Sequence, residues 1–221
     1  MSKLRLSITT SLDGYVAGPN QSMENPLGEG GEQLHEWAFP TRAFRSLHGD
    51  TGGGETGVND DVLREAFENV GATIMGRNMF AGPLRGAWGE NPWQGWWGED
   101  PPFHHPVFVL THHARAPLTM QGGTTFHFVT DGIESALAQA RKAAGEKDVA
   151  IGGGASVVQQ YLAAGLIDEM DIHIVPRLLG SGARLLDNLD TSKISLEAIR
   201  AIEGPGVAHL KYRVVKPTTP S

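Results

Sequence analysis

Apolar and polar residues alternate along Leu4-Arg5-Leu6-Ser7-Ile8, the two-residue period of a strand with one buried face, and residues 3–9 are predicted as a first strand. Three later runs, Ala72–Met75, Pro106–Leu110 and Val149–Ile151, are short and mostly apolar, as strands buried on both faces are. Met170–Val175, ending at Pro176, reads as another strand. Thr125–Val129 reads as a further strand. Between them the spacing shifts toward 3.6. Val62, Leu63, Ala66 and Phe67 share a face of a helix starting at Asn59 or Asp60, either of which could cap it, and running to about Asn69. Asp131 and Glu134 form a capping pair for a helix through Ala143. A third helix follows the glycines at 152–154 and is stopped by Gly165. Residues 194–202 and 207–215 read as a hairpin turned by Gly204-Pro205-Gly206, with Ala208, Leu210, Tyr212 and Val214 on one face. Alternating strands and helices predict an α/β fold with a mostly parallel mixed sheet, to which the hairpin adds antiparallel edge strands.

Two segments do not fit this rhythm. Residues 20–59 are rich in Gly and polar residues around a Leu34–Phe39 island with the pattern of a short helix, and residues 82–105 crowd Gly, Pro and Trp together. Loops this long inside a compact domain act as lids or are disordered. The expected organisation is a single domain over 1–216, with insertions at about 20–59 and 82–105 and a tail at 217–221. A length of 221 residues suffices for one sizeable core. A net charge of −7 argues against a nucleic-acid partner. No cysteine is present, which removes disulfides and thiolate chemistry. No apolar run has transmembrane length, and a strand pattern follows Met1 where a signal core would stand, so a soluble cytoplasmic protein with no membrane partner is expected.

Parallel sheets bind ligands beyond the carboxyl ends of their strands. Three such ends carry candidate chemistry: Gly76-Arg77-Asn78, Thr111-His112-His113 with Arg115, and Gly152-Gly153-Gly154-Ala155-Ser156. The first and third offer backbone N–H groups at helix starts, which favour phosphate. The glycine run by itself reads equally as a tight turn, and it lacks the G-x-G-x-x-G spacing of a Rossmann dinucleotide site.

Ser11-Leu12-Asp13-Gly14 with Ala17, Ile74-Met75-Gly76-Arg77, Val109-Leu110-Thr111 and Ile151-Gly152-Gly153-Gly154 follow one another in an order that resembles the dihydrofolate reductase fold. They are closer still to the reductase domain of the bifunctional riboflavin-biosynthesis deaminase-reductase and its stand-alone relatives. The resemblance covers about residues 4–215. It implies a three-layer sandwich with helices on both faces of the sheet, NADPH as cofactor, and hydride transfer to a small heterocyclic imine or carbonyl related to the ribosylaminouracil phosphate of riboflavin synthesis. It places Ala17 by the nicotinamide, Gly76, Arg77 and Asn78 at the phosphates, and Thr111, His112 and Arg115 near the adenosine ribose and its 2′-phosphate. Gly152, Gly153, Gly154, Ala155, Ser156 and Val157 would line the pyrophosphate and nicotinamide. A homodimer is expected on the same ground.

The chain also departs from that pattern. Gly152 stands where the riboflavin enzymes keep a substrate-binding glutamate, Met79 replaces a common threonine, and the segment after the first loop is replaced by the 20–59 insertion. For the proton donor the resemblance points to Asp60, though Asp there reads first as a helix cap. Asp13, in an everyday Asp-Gly turn, is the other candidate. Histidine pairs at 104–105 and 112–113 bracket one strand, but neighbours on a strand face opposite ways, so no metal is assigned. Trp88, Trp93, Trp96 and Trp97 read either as loop packing or as a pocket rim that stacks a flat ring. Two other classes stay open: a catalytically silent nucleotide-binding sensor, and a flavin protein.

Overall fold

The computed structural model describes residues 2–82, 86–89, 95 and 97–216; Trp93, Trp96 and the 217–221 tail lie outside them. In chain order come β1 (Leu4–Ser11), β2 (Tyr15–Ala17), α1 (Arg42–Leu47), α2 (Val58–Phe67), β3 (Val70–Gly76) and α3 (Arg77–Ala81). There follow β4 (Pro106–Leu110), β5 (Leu118–Thr119), β6 (Thr125–Val129), α4 (Ile133–Ala144), β7 (Asp148–Gly153) and α5 (Ala155–Ala163). The last are β8 (Glu169–Val175), β9 (Ala183–Arg184), β10 (Ser195–Gly204) and β11 (Val207–Val215). Among the described residues, nine strands form one sheet in the order β10-β11-β8-β1-β7-β3-β4-β6-β5. The six from β8 to β6 are parallel, while β11, β10 and β5 add antiparallel edges. The α/β expectation and the terminal hairpin are borne out.

Strand alternation sorts the sheet into two faces. Leu4, Leu6, Ile74, Phe108, Val149 and Ile151 point to one side and pack on Ala136, Leu137 and Ala140 of α4 and Val158, Tyr161 and Leu162 of α5. Each large side chain buried there contributes about 1.5–3 kcal/mol. Tyr161 satisfies its hydroxyl by donating to the Ile133 carbonyl at 2.7 Å. The opposite face carries two separate clusters. Met75, Val107, Val109 and Phe126 pack under Phe80 and Ala81 of α3, and Leu34, Trp37, Ala38, Leu63, Val175 and Val207 pack at the β8–β11 side. Helices therefore cover both faces, as the three-layer expectation requires.

Several local expectations are corrected. The α2 helix begins at Val58 with Gly57 at its cap and no side-chain cap bond, so neither Asn59 nor Asp60 caps it. Phe67 on its expected apolar face is 46% exposed. Gly132, not an Asp131–Glu134 pair, precedes α4, and Asp131 instead accepts from the Ser135 hydroxyl. On β11 the buried side chains are Val207, His209 and Val214, while Ala208 is exposed, because this strand is covered from different sides along its length. The Leu34–Phe39 island is a 3-10 turn at 32–34 followed by turns, not an α-helix. Residues 20–57 place Trp37 on the sheet and add α1, capped by Thr41 Oγ1, which accepts from Phe44 N–H.

Candidate active site

At the C-terminal edge of the parallel strands, β3 and β7 end side by side. An added Cβ on Gly76 would come within 2.9 Å of Val157 Cγ2. A side chain here would drive the two strand–helix turns apart. Gly153 has φ +122, which glycine adopts at no steric cost. Around Gly154 a Cβ would meet nothing within 4 Å, so its backbone faces open space. The Ala155 and Val157 side chains turn into the core and Ser156 is exposed, which leaves the backbone of this turn as the group presented to the edge. The sheet thus brings Gly76 and the 152–157 run together, although 75 residues separate them.

A second cluster forms beside β4. The Arg77 guanidinium lies 4.2 Å from the Trp88 ring centroid, and Arg115 lies 5.1 Å from the same ring and 4.8 Å from that of Phe128. Trp88 is held by donating from Nε1 to the His113 carbonyl at 2.7 Å. Arg77 Nη1 donates to the Gly86 carbonyl, but its Nε and Nη2 are buried without a partner among the described residues. Desolvation lowers the pKa of both arginines from the ordinary guanidinium range. A buried guanidinium with free donors is a fit for a phosphate or carboxylate, which would compensate the desolvation. Thr111 is buried and exchanges hydrogen bonds with the His113 backbone, while His112 and Asn78 are exposed. Ala17 is buried at the β2–β9 pairing. Among the described residues, no three His, Asp or Glu side chains converge as a metal site.

Both carboxylates considered as acids are engaged in holding the chain. Asp13 accepts from Ser11 Oγ at 2.6 Å, Leu179 N–H at 3.1 Å and Gly180 N–H at 2.7 Å. These donors, the Ser11 hydroxyl first, hold its pKa down at about 2. It ties the turn after β1 to the loop after β8. Asp60 is 8% exposed and accepts from Ala43 N–H at 2.6 Å. It therefore caps a helix after all, but α1 rather than its own.

Between the two clusters on the α2–α3 face lies an open stretch of sheet. Its floor is Ser7 on β1 and Ala150 and Gly152 on β7, all partly exposed although both strands are central. Met79 of α3 covers one side: a Cβ on Gly152 would lie 3.4 Å from Met79 Cε and 3.3 Å from Thr73 Cγ2. On the other side Trp37 donates from Nε1 to Thr9 Oγ1 at 3.2 Å. Trp37 also packs against His173 and His209, with ring centroids 5.1 and 5.0 Å away. Ser7, His173, His209 and Trp37 were not among the candidates read from sequence. The available signal was the polar set Ser7, Thr9 and Ser11 on one face of a strand whose other face is Leu4, Leu6 and Ile8.

A mostly parallel sheet of this topology, sandwiched by helices, with glycine-turned strand ends opening on one edge, is a dihydrofolate reductase-like fold. The comparisons agree. Residues 2–207 match the RibD C-terminal domain family, and the chain belongs to that family. A riboflavin-biosynthesis protein from Shewanella sp. PV-4 superposes with a TM-score of 0.63 at 24% identity, covering 97% of this chain and 99% of its own. RibD from Acinetobacter baumannii gives 0.57 at 18% identity, covering 97% of this chain and 58% of the longer RibD chain. Dihydrofolate reductase from Enterococcus faecalis, solved with NADP(H), gives 0.51 at 14% identity and covers 96% of both chains. No curated protein matches the sequence.

Proposed function

We propose that this protein is an NADPH-dependent reductase of a small planar heterocycle bearing an imine or carbonyl. The observation that carries the proposal is the pairing of two glycine-turned strand ends with a half-buried Arg77 whose Nε and Nη2 lack partners among the described residues. Membership of the RibD C-terminal domain family and the Enterococcus enzyme's NADP(H) complex support it.

The residues fit the cofactor. The N–H groups at the starts of α3 and α5 would hold the pyrophosphate, with Gly76 and Gly154 leaving room for it at the backbone. Arg77 and Arg115, set against Trp88, would take the 2′-phosphate, and His112 lies exposed on the same loop. Bound NADPH supplies the hydride; what this chain provides is orientation and a cleft shielded by Trp37 and Met79. With Asp13 held ionised and Asp60 committed to Ala43, we assign the proton to a water admitted to the cleft. The single domain over 1–216 and the homodimer belong to the same proposal.

The test is a melting scan with NADPH and with NADH, followed by NADPH oxidation across a panel of pterins, flavins and aminopyrimidines. A larger stabilisation by NADPH together with turnover of at least one ring supports a reductase. No shift with millimolar NADPH refutes it. A shift without turnover favours the nucleotide-sensing alternative, which the occupied carboxylates support; yellow colour on purification would favour a flavin protein.

A further inference from the structure

Ser7 occupies the middle of a central strand, and Leu6 pairs with Ile151 in parallel register. Ser7 and Gly152, the next residue on each strand, both follow that last pair, on the open face. Behind Ser7 runs a chain of hydrogen bonds. Ser7 Oγ is 2.9 Å from His173 Nε2, His173 Nδ1 is 2.9 Å from His209 Nδ1, and His209 Nε2 is 3.0 Å from Asn59 Oδ1. Asn59 Nδ2 donates to the Pro205 carbonyl at 3.1 Å. Trp37 lies against both imidazoles, and each histidine is 2% exposed.

The direction of every bond follows from one end. A carbonyl only accepts, so the Asn59 nitrogen faces Pro205 and its oxygen faces His209. His209 must then carry its hydrogen on Nε2. Burial keeps both imidazoles neutral at pH 7, with pKa values lowered to about 3 for His173 and about 4 for His209. In a neutral ring one nitrogen is bare, so His209 Nδ1 accepts and His173 Nδ1 donates. His173 Nε2 is consequently bare, and the Ser7 hydroxyl donates to it. Serine is ordinarily both donor and acceptor. Here its only hydrogen is spent inward, and what remains for the cleft is lone pairs. Thr9 is placed differently: it is buried and accepts from Trp37, so it supports the wall.

Given the reductase reading of this cleft, we propose that Ser7 recognises substrate as an acceptor, taking a hydrogen bond from a ring N–H of the heterocycle. His173, His209 and Asn59 are positioning residues that hold the hydroxyl hydrogen away from the cleft. The substrate class is a heterocycle with an unsubstituted lactam or amidine N–H on the edge that lies over Gly152. A ring alkylated at that nitrogen presents no donor and leaves Ser7 unpaired.

The probes are 5,6-diaminouracil and its 1,3-dimethyl analogue, titrated by calorimetry into protein saturated with NADPH, with cofactor binding verified first by the melting shift. The wild-type protein should bind the unmethylated ring about tenfold more tightly, the worth of one hydrogen bond made in a buried site. Ser7→Ala should bring the two rings to near-equal affinity and leave cofactor affinity unchanged, whereas Ser7→Thr, which keeps the hydroxyl, should retain the preference. His209→Phe, which cuts the chain away from the cleft, should give an intermediate preference by freeing the Ser7 rotor. Equal affinity for both rings, binding of neither, or a preference that survives Ser7→Ala overturns the proposal. The wild-type comparison decides even if Ser7→Ala does not fold. Absence of the NADPH shift would refute the reductase reading instead, so the two failures are distinct.

Discussion

Lowering the pH from 7 to 5 should remove about 4 kcal/mol of folding stability through His173 and His209 alone. Desolvation lowers their pKa values from 6.5 to about 3 and about 4. The folded chain therefore keeps both rings neutral down to pH 5, while the unfolded chain protonates both below 6.5. The unfolded state binds more protons throughout that window, so stability falls as pH falls. Near pH 5.5 each ring contributes about 1 kcal/mol per pH unit, and the integral from pH 7 to 5 is about 2 kcal/mol each. Against a total stability of about 5–15 kcal/mol this is a large share.

Urea unfolding at 25 °C at half-unit pH intervals reads the slope directly. Other histidines with lowered values, His35, His105 and His127, steepen it further. The comparison that isolates one ring of the pair is wild type against His209→Gln, whose slope should be shallower by about 1 kcal/mol per pH unit. Carboxylates held low by hydrogen bonds, such as Asp13 and Asp190, lose their contribution only below the ordinary carboxylate range and do not enter this window. Slopes that agree within about 0.4 kcal/mol per unit would refute the buried, neutral pair.

Gly154→Ala should leave the melting temperature of the free protein nearly unchanged yet weaken NADPH at least about tenfold, since its Cβ enters open space that the cofactor would fill. Gly76→Ala should instead destabilise the free protein by about 1–3 kcal/mol, because its Cβ meets Val157 at 2.9 Å. Equal effects of the two on stability in thermal melts would contradict this geometry. Arg77→Ala should raise the KM for NADPH far more than that for NADH and reduce the salt dependence of the former; an unchanged NADPH-to-NADH ratio in steady-state kinetics would move the 2′-phosphate elsewhere. Asp13→Asn should lower the melting temperature by weakening the bonds to Leu179 and Gly180. If Asp13 were the proton donor, kcat would also collapse at pH 7, whereas a loop anchor leaves measurable turnover.

Much of the architecture was legible in one dimension because strand and helix periods are local. The alternation of Leu4 and Leu6 with Arg5 and Ser7, the short apolar runs and the Gly204-Pro205-Gly206 turn each report which face of a backbone meets water. Composition also found the strand-end glycines, since only residues without a Cβ tolerate the closeness seen at Gly76. What local pattern could not report was pairing across the sheet. Asp60 looked like the cap of its own helix, but the acceptor it supplies goes to Ala43, a donor brought near only when residues 20–57 fold over the sheet. Trp88 settled against two arginines, one at the start of α3 and one in the loop after β4, for the same reason. Ser7, His173, His209 and Asn59 lie on three strands and a helix, far apart in sequence. Each residue is unremarkable alone; only the tertiary structure joins them, because hydrogen-bond direction is decided by which partner stands at the far end. The sequence by itself determined the layers and the glycine-turned edge, whereas the polar floor of the cleft and its bond directions were decided by strand order.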